Sequence, residues 1–141
     1  MGKYAILVKS GTFDNMNTAA LLASGAIANG NEVLVFFMHD AVWALKKDVY
    51  LSNRKVISPF SEVTQQIEKV DKEGKLQTWF KLLPELKELA DEDELKYVAC
   101  GLMMDIFELK KEDLVDFIDD IAGVAFFTNK ALEADKVMVI G

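Results

Sequence analysis

The sequence predicts an α/β protein, a three-layer α/β/α sandwich around a mainly parallel sheet of about five strands. Three observations carry that expectation. Apolar runs recur at residues 4–8, 33–38, 97–99 and 136–140. They are nearly unbroken rather than alternating, as strands covered on both faces should be. Stretches with three- and four-residue apolar spacing separate them, and strands interleaved with helices imply crossover connections and a parallel sheet. The chain has 141 residues, of which 51% are hydrophobic, so it can bury one sizeable core as a single domain over residues 1–141.

The elements follow in order. Tyr4-Ala5-Ile6-Leu7-Val8 reads as the first strand and Ser10-Gly11-Thr12 as a turn. Asp14 or Asn15 can cap a helix over residues 16–29. Ala19, Leu22, Ala23, Ala26 and Ile27 share one face of it. Asn29-Gly30-Asn31 stops that helix, with Gly30 free to take a left-handed conformation. Residues 33–38 form a second buried strand, so the first forty residues make a right-handed strand–helix–strand unit. His39 and Asp40 close it, and residues 41–47 form a short helix bearing Val42, Trp43 and Leu45. Residues 50–59 lack a period and read as a loop. Residues 61–75 are charged and only weakly helical, a mobile stretch or an oligomer contact. Residues 76–89 are helical in pattern, with Pro84 either kinking one helix or opening a second. An acidic run, Asp91 to Glu94, precedes Tyr97-Val98-Ala99, a buried strand that ends at Cys100. Gly101 breaks the pattern, and an apolar turn follows around Asp105. Residues 110–119 read as a helix with Leu114, Phe117 and Ile118 inward. Residues 120–123 make a very short strand. Residues 124–134 make a helix packed through Val124, Phe127, Ala131 and Leu132. Residues 136–140 are the last strand. There are no repeats, low-complexity tracts or linkers.

Composition removes several functional classes. Sixteen basic against 23 acidic residues give a net charge of −7. That excludes a nucleic-acid footprint, which needs clustered Lys and Arg, and disfavours anionic membrane surfaces. The first apolar run ends at Lys9, too short for a signal segment or a membrane span. Ile6 stands where a myristoylation motif after Gly2 wants Ser or Thr. One cysteine makes no internal disulfide, so a reducing, cytoplasmic setting fits. One His and one Cys make no zinc site, so no metal and no cofactor are expected.

The candidate functional residues all fall at strand ends. Cys100 lies at the carboxyl end of a central strand, where open α/β sheets bind their ligands. Two readings stand at this point, because free Cys is also among the most buried residue types. A helix starting after Cys100 favours the thiolate, while Asp105 and Glu108 oppose it. The Ser10-Gly11-Thr12 turn offers N–H groups to an anion or is an ordinary turn with a cap. It is neither a P-loop nor a GxGxxG loop. His39 is a proton donor or base, or a polar loop residue. Met103 and Met104 are a soft pocket wall or core. A Cys–His hydrolase would need an oxyanion hole that nothing in the sequence marks.

These residues carry a resemblance. The opening KYAILVKSGTFD, the strand VLVFF, and VACGLMMDIFELKKEDL followed by AGVAFF resemble the DsrE/DsrF/DsrH-like proteins, which include the TusD-type sulfur relay subunits. The branch most similar is the DsrE-like one labelled "peroxiredoxin-like". In it a Cys ends the third strand, an Asp follows five residues later, then an apolar pair, then a charged helix start. Here those are Cys100, Asp105, Ile106-Phe107 and Lys110-Lys111-Glu112-Asp113. The likeness covers the chain apart from about residues 48–90, a section short for the branch. Two departures stand out. The family often has Ser or Thr at the place of Met103 and Gly at the place of Glu108. The first removes a hydroxyl near the thiol, and the second alters the turn.

The resemblance implies a five-stranded domain assembling into homo-oligomeric trimers or hexamers. It implies a sulfur carrier of sulfurtransferase type, in which Cys100 holds a persulfide and passes it from a donor protein to an acceptor protein. By position alone, Ser10, Gly11, Thr12, His39, Gly101, Met103 and Asp105 would line its pocket. Some members lack the cysteine and serve as structural subunits, which makes a non-catalytic binding or assembly subunit the alternative. A thiol peroxidase ranks last, because such sites commonly set Thr and Arg beside the Cys and the only Arg is Arg54.

Overall fold

The computed structural model describes residues 1–50, 59–75 and 78–141. It contains one sheet of five strands, β1 (Lys3–Val8), β2 (Glu32–Phe37), β3 (Leu95–Cys100), β4 (Asp120–Ala122) and β5 (Lys136–Ile140), in the order β4-β3-β2-β1-β5. Every pairing is parallel. The helices are α1 (Phe13–Ala28), α2 (Asp40–Ala44), α3 (Lys47–Tyr50), α4 (Ser61–Lys72), α5 (Trp79–Leu89), α6 (Gly101–Ile106) and α7 (Val124–Glu133). The α/β sandwich expected from the sequence is the observed architecture, and its sheet is wholly parallel.

The two faces of the sheet are covered unequally. On one face lie Ile6, Val8, Val33, Val35, Phe37, Tyr97 and Ala99, all buried. They pack under α1 and α5. The alanines at 19, 20, 23 and 26 of α1 are all buried, which lets its backbone lie close to the strands. Asn17 on α1 accepts the Trp79 N–H through Oδ1 at 3.0 Å, joining the two helices. The Tyr97 hydroxyl donates to Leu83 O on α5 at 2.8 Å. Burial and the nearby Asp119 carboxylate hold that phenol above its usual range, so it stays a donor. Over the other face α7 crosses with Phe127 tilted on Phe36, ring centroids 5.3 Å apart.

Pro84 lies inside one continuous helix, α5. Lacking an N–H, it leaves the Phe80 carbonyl without its usual helical donor. The Tyr50 hydroxyl donates to that oxygen. Residues 61–75, weakly helical by sequence, form α4 over most of their length. The helix expected at residues 76–89 begins at Trp79 among the described residues. The loop expected at 50–59 falls mostly on residues 51–58, outside the described residues, as does Arg54. The first helix is capped at Thr12 rather than at Asp14 or Asn15, with the Met16 N–H donating to Thr12 O at 3.0 Å.

Two expectations need correction. Residues 110–119 are not an α-helix but a 3-10 turn at Lys111–Asp113 followed by irregular chain. Leu114, Phe117 and Ile118 do turn inward. Their backbone, however, goes to tertiary partners: Val115 N–H donates to Leu45 O at 2.9 Å and Asp119 N–H to Tyr97 O at 2.9 Å. Those bonds outcompete a helical ladder. In α7, Phe127 and Ala131 pack inward, but Val124 and Leu132 do not, Leu132 being 87% exposed. A single helix across a sheet buries only a narrow stripe, and Leu132 falls outside it.

Among the described residues, three helices end in the same hydrogen-bond motif. At the end of α1, Asn31 N–H donates to Ala26 O and Gly30 N–H to Ile27 O; at α4 the donors are Lys75 and Gly74. At α6, Leu109 N–H donates to Met104 O at 2.8 Å and Glu108 N–H to Asp105 O at 3.1 Å. This Schellman motif requires a left-handed residue just past the helix, normally Gly. Gly30 and Gly74 supply it at φ of 79° and 69°, but at α6 the residue is Glu108 at φ 55°. A Cβ there costs about 1 kcal/mol. Glu108→Gly is therefore expected to stabilise the fold by roughly 0.5–1 kcal/mol, read as a raised midpoint in urea unfolding. An unchanged or lowered midpoint would show that the turn is not strained.

Candidate functional site

The parallel register brings the carboxyl ends of β1, β2 and β3 to one edge, with β2 between the other two. Val8 pairs with Phe37 and Phe37 with Ala99. The turn at Ser10, Gly11 and Thr12, the His39 corner and Cys100 therefore line up on neighbouring strands. At ~4.8 Å per strand, Cys100 and the Ser10 turn stand about 10 Å apart along the edge.

The β1 and β2 corners are tied together. The Asp40 carboxylate accepts the Gly11 N–H at 2.7 Å. The amide that sequence reasoning offered to an anion already holds an internal carboxylate. Gly11 is also a close-approach glycine: a Cβ there would collide with the Asp40 backbone oxygen and come 2.9 Å from Ala44 Cβ. Thr12 Oγ1 accepts from Asn15 Nδ2 at 3.0 Å and lies 3.4 Å from the Ser10 hydroxyl, which donates to it. His39 is exposed and sits at φ 53°, ψ −137°, a conformation that costs a non-glycine residue of order 1–3 kcal/mol. Sequence reasoning named His39 and missed its neighbour Asp40 as the residue that clamps the two loops.

Cys100 is 0% exposed and is the residue from which α6 starts. No loop separates β3 from α6, contrary to the break expected at Gly101. Cys100 pairs with Ala122 on β4. A Cβ on Gly101 would stand 3.5 Å from Ile121 Cγ2 and 3.7 Å from Ala122 O, so the β4 end walls one side of the cysteine. Met103 is buried beneath α6, and Asp105 is exposed on its outer side. Trp43 on α2 meets Phe107 edge-to-face at 5.4 Å, with the Lys46 ammonium 4.7 Å from the Trp43 ring centre. This aromatic pair joins the helix after β2 to the helix after β3. Its sequence signal was an aromatic residue about two turns past each strand end. Leu102 and Ile106 of α6 remain 57% and 59% exposed. Among the described residues, no cluster of three His, Cys, Asp or Glu side chains could hold a metal, and no helix is long and apolar enough to cross a membrane.

A parallel five-stranded α/β domain with a lone cysteine at the carboxyl end of a central strand defines the class. The particular family follows from comparison: the DsrE/DsrF/DrsH-like family model matches residues 1–139, and the chain belongs to that family. The match includes residues 48–90, where the sequence resemblance is weakest. The chain is 29% identical to the sulfur carrier protein DsrE2 of Allochromatium vinosum, over 98% of both chains. It is 30% identical to the uncharacterized protein YrkE of Bacillus subtilis, over 96% of this chain and 94% of that one. Its fold is similar to that of MTH1491 from Methanobacterium thermoautotrophicum, a protein of unknown function, with a TM-score of 0.65, 12% identity and 99% of each chain covered. It is also similar to the ychN protein of E. coli, with a TM-score of 0.61, 19% identity and 99% coverage of each.

The close packing at Gly11 makes a direct prediction. Gly11→Ala must push α2 away from the β1 turn, with an expected loss of at least about 2 kcal/mol in denaturant unfolding. A loss under about 0.5 kcal/mol would mean that the two loops are not interlocked.

Proposed function

We propose that the chain is a sulfur carrier in which Cys100 accepts a sulfane sulfur and yields it to a partner protein. The observation that carries this is the position of its only cysteine, at the sheet edge where β3 becomes α6. The identity to a sulfur carrier over 98% of the chain supports it.

The chemistry needs no cofactor. The Cys100 thiolate attacks the terminal sulfur of a donor persulfide. A new S–S bond forms to Cys100, the donor's S–S bond breaks, and the donor leaves as a thiolate. An acceptor thiolate then attacks the terminal sulfur on Cys100, and Cys100 departs as the thiolate. The sulfane sulfur changes hands at a constant oxidation level. Ser10, Gly11, Thr12, His39, Gly101, Met103 and Asp105 are the proposed surroundings of this step, the first four across the edge and the last three on α6. The partners are donor and acceptor proteins, the setting is the cytoplasm, and the chain works as a homo-oligomer, a trimer or hexamer.

The complete burial of Cys100 bears on this reading. A donor reaches the thiol only after a local movement, and α6, which starts at Cys100, is the element proposed to move. That helix is six residues long, and its exposed side carries Leu102 and Ile106. The same burial favours a second reading, a non-catalytic assembly subunit whose cysteine is core.

Intact mass after incubation with polysulfide, wild type beside Cys100→Ser, separates the two. The sulfur-carrier reading expects a gain of one or more sulfur atoms, reversed by reductant and absent in the variant. No gain by folded protein with an unmodified thiol would leave the assembly reading.

A further inference from the structure

We infer that β5 is a self-association edge, which pairs antiparallel with β5 of a second copy across a two-fold axis through Met138. The inference goes beyond the sulfur reading, does not depend on it, and of the two assemblies proposed above fits the hexamer and not the trimer.

The sheet has two edges, and they are built differently. At one, β4 is three residues long and starts with Asp120, a short and charged edge of the kind that blocks strand addition. At the other, β5 runs for five residues as Lys-Val-Met-Val-Ile and pairs only with β1 among the described residues. After Lys136 it carries no charge, no proline and no bulge. The Lys9 N–H donates to Ile140 O at 2.9 Å, which turns the backbone polar groups of Ile140 toward β1. Alternation along the strand then turns the N–H and C=O of Val137 and Val139 outward. These same two residues expose their side chains. They are in register with Ala5 and Leu7 on the α7 side of the sheet, yet α7 leaves them 48% and 63% exposed. Among the described residues, unpaired backbone groups and bare β-branched side chains thus coincide on one edge.

The strand is complementary to itself. With Met138 on the axis, Val137 lies opposite the second copy's Val139, and each such pair exchanges both N–H···O=C bonds. The valines meet side by side on one face, the favourable cross-strand pairing. Each Lys136 lies opposite an Ile140, so the two ammonium groups stay at opposite ends. The contact is isologous and closes on itself. It joins two five-stranded sheets into one and leaves both Cys100 edges open, because β1 and β2 stand between β5 and β3.

The register supplies the test. Met138 faces its own copy across the axis as a non-hydrogen-bonded pair, with Cα atoms about 4.5 Å apart, within disulfide range. Met138→Cys in a Cys100→Ser background is expected to form a dimer on mild oxidation, reversed by reductant, whereas Val137→Cys in that background is not. Val139→Lys is expected to halve the assembly mass measured by light scattering, with an unchanged far-UV spectrum. The inference is overturned if Val137→Cys crosslinks as readily as Met138→Cys, if neither does, or if folded Val139→Lys keeps the wild-type mass.

Discussion

The backbone ladder of β3 is the constraint on which the rest of this molecule depends. Through Val98, Ala99 and Cys100 it binds β2 or β4 on each side, and so decides where the only thiol stands. A partly buried polar knot fixes the start of that strand. The Asp119 carboxylate accepts the Tyr97 N–H at 2.8 Å and pairs with the Lys87 ammonium at 2.8 Å, while Lys87 also donates to Leu95 O at 2.9 Å. Each charge is partly buried and hydrogen-bonded, the condition under which such a pair holds geometry rather than destabilising the fold. Held at one end by this knot, β3 delivers Cys100 to the opposite end of the sheet, beside the loops of β1 and β2.

The strain in the chain gathers at that same edge. The two non-glycine residues at positive φ are His39, at the end of β2, and Glu108, at the end of α6, among the described residues. The Gly11–Asp40 clamp makes the first of these corners rigid. The α6 side is the softer one: a short helix, a strained terminus, and two exposed apolar side chains. If Cys100 is to meet a donor, the physical asymmetry points to α6 as the part that yields.

Most of the architecture was legible because buried parallel strands need continuous apolar runs, and residues 4–8, 33–38 and 136–140 have them. The misreadings share a cause. Leu114, Phe117 and Ile118 are spaced as on a helix, but their backbone is claimed by Leu45 and Tyr97, which are remote in sequence. Leu132 is apolar but lies off the Phe127–Ala131 stripe of α7, and a helix laid on a sheet buries only that stripe. The site was legible in position and not in exposure. Strand pattern places Cys100 at a carboxyl end. Whether that end is covered depends on Gly101 running straight into a helix and on β4 standing against it. Asp40 was hidden because a carboxylate's partner, here the Gly11 amide 29 residues away, has no local signal.

The sulfur-carrier proposal requires that Cys100, though buried, become reachable through local movement in the native protein, with α6 the element proposed to move. The most direct measurement is the rate of its reaction with an aromatic disulfide probe under native conditions, set beside the rate of global unfolding. The expected rate is well below that of a small free thiol, well above that of unfolding, and raised by substitutions that loosen α6. A rate equal to that of global unfolding would contradict it and make the cysteine part of the core.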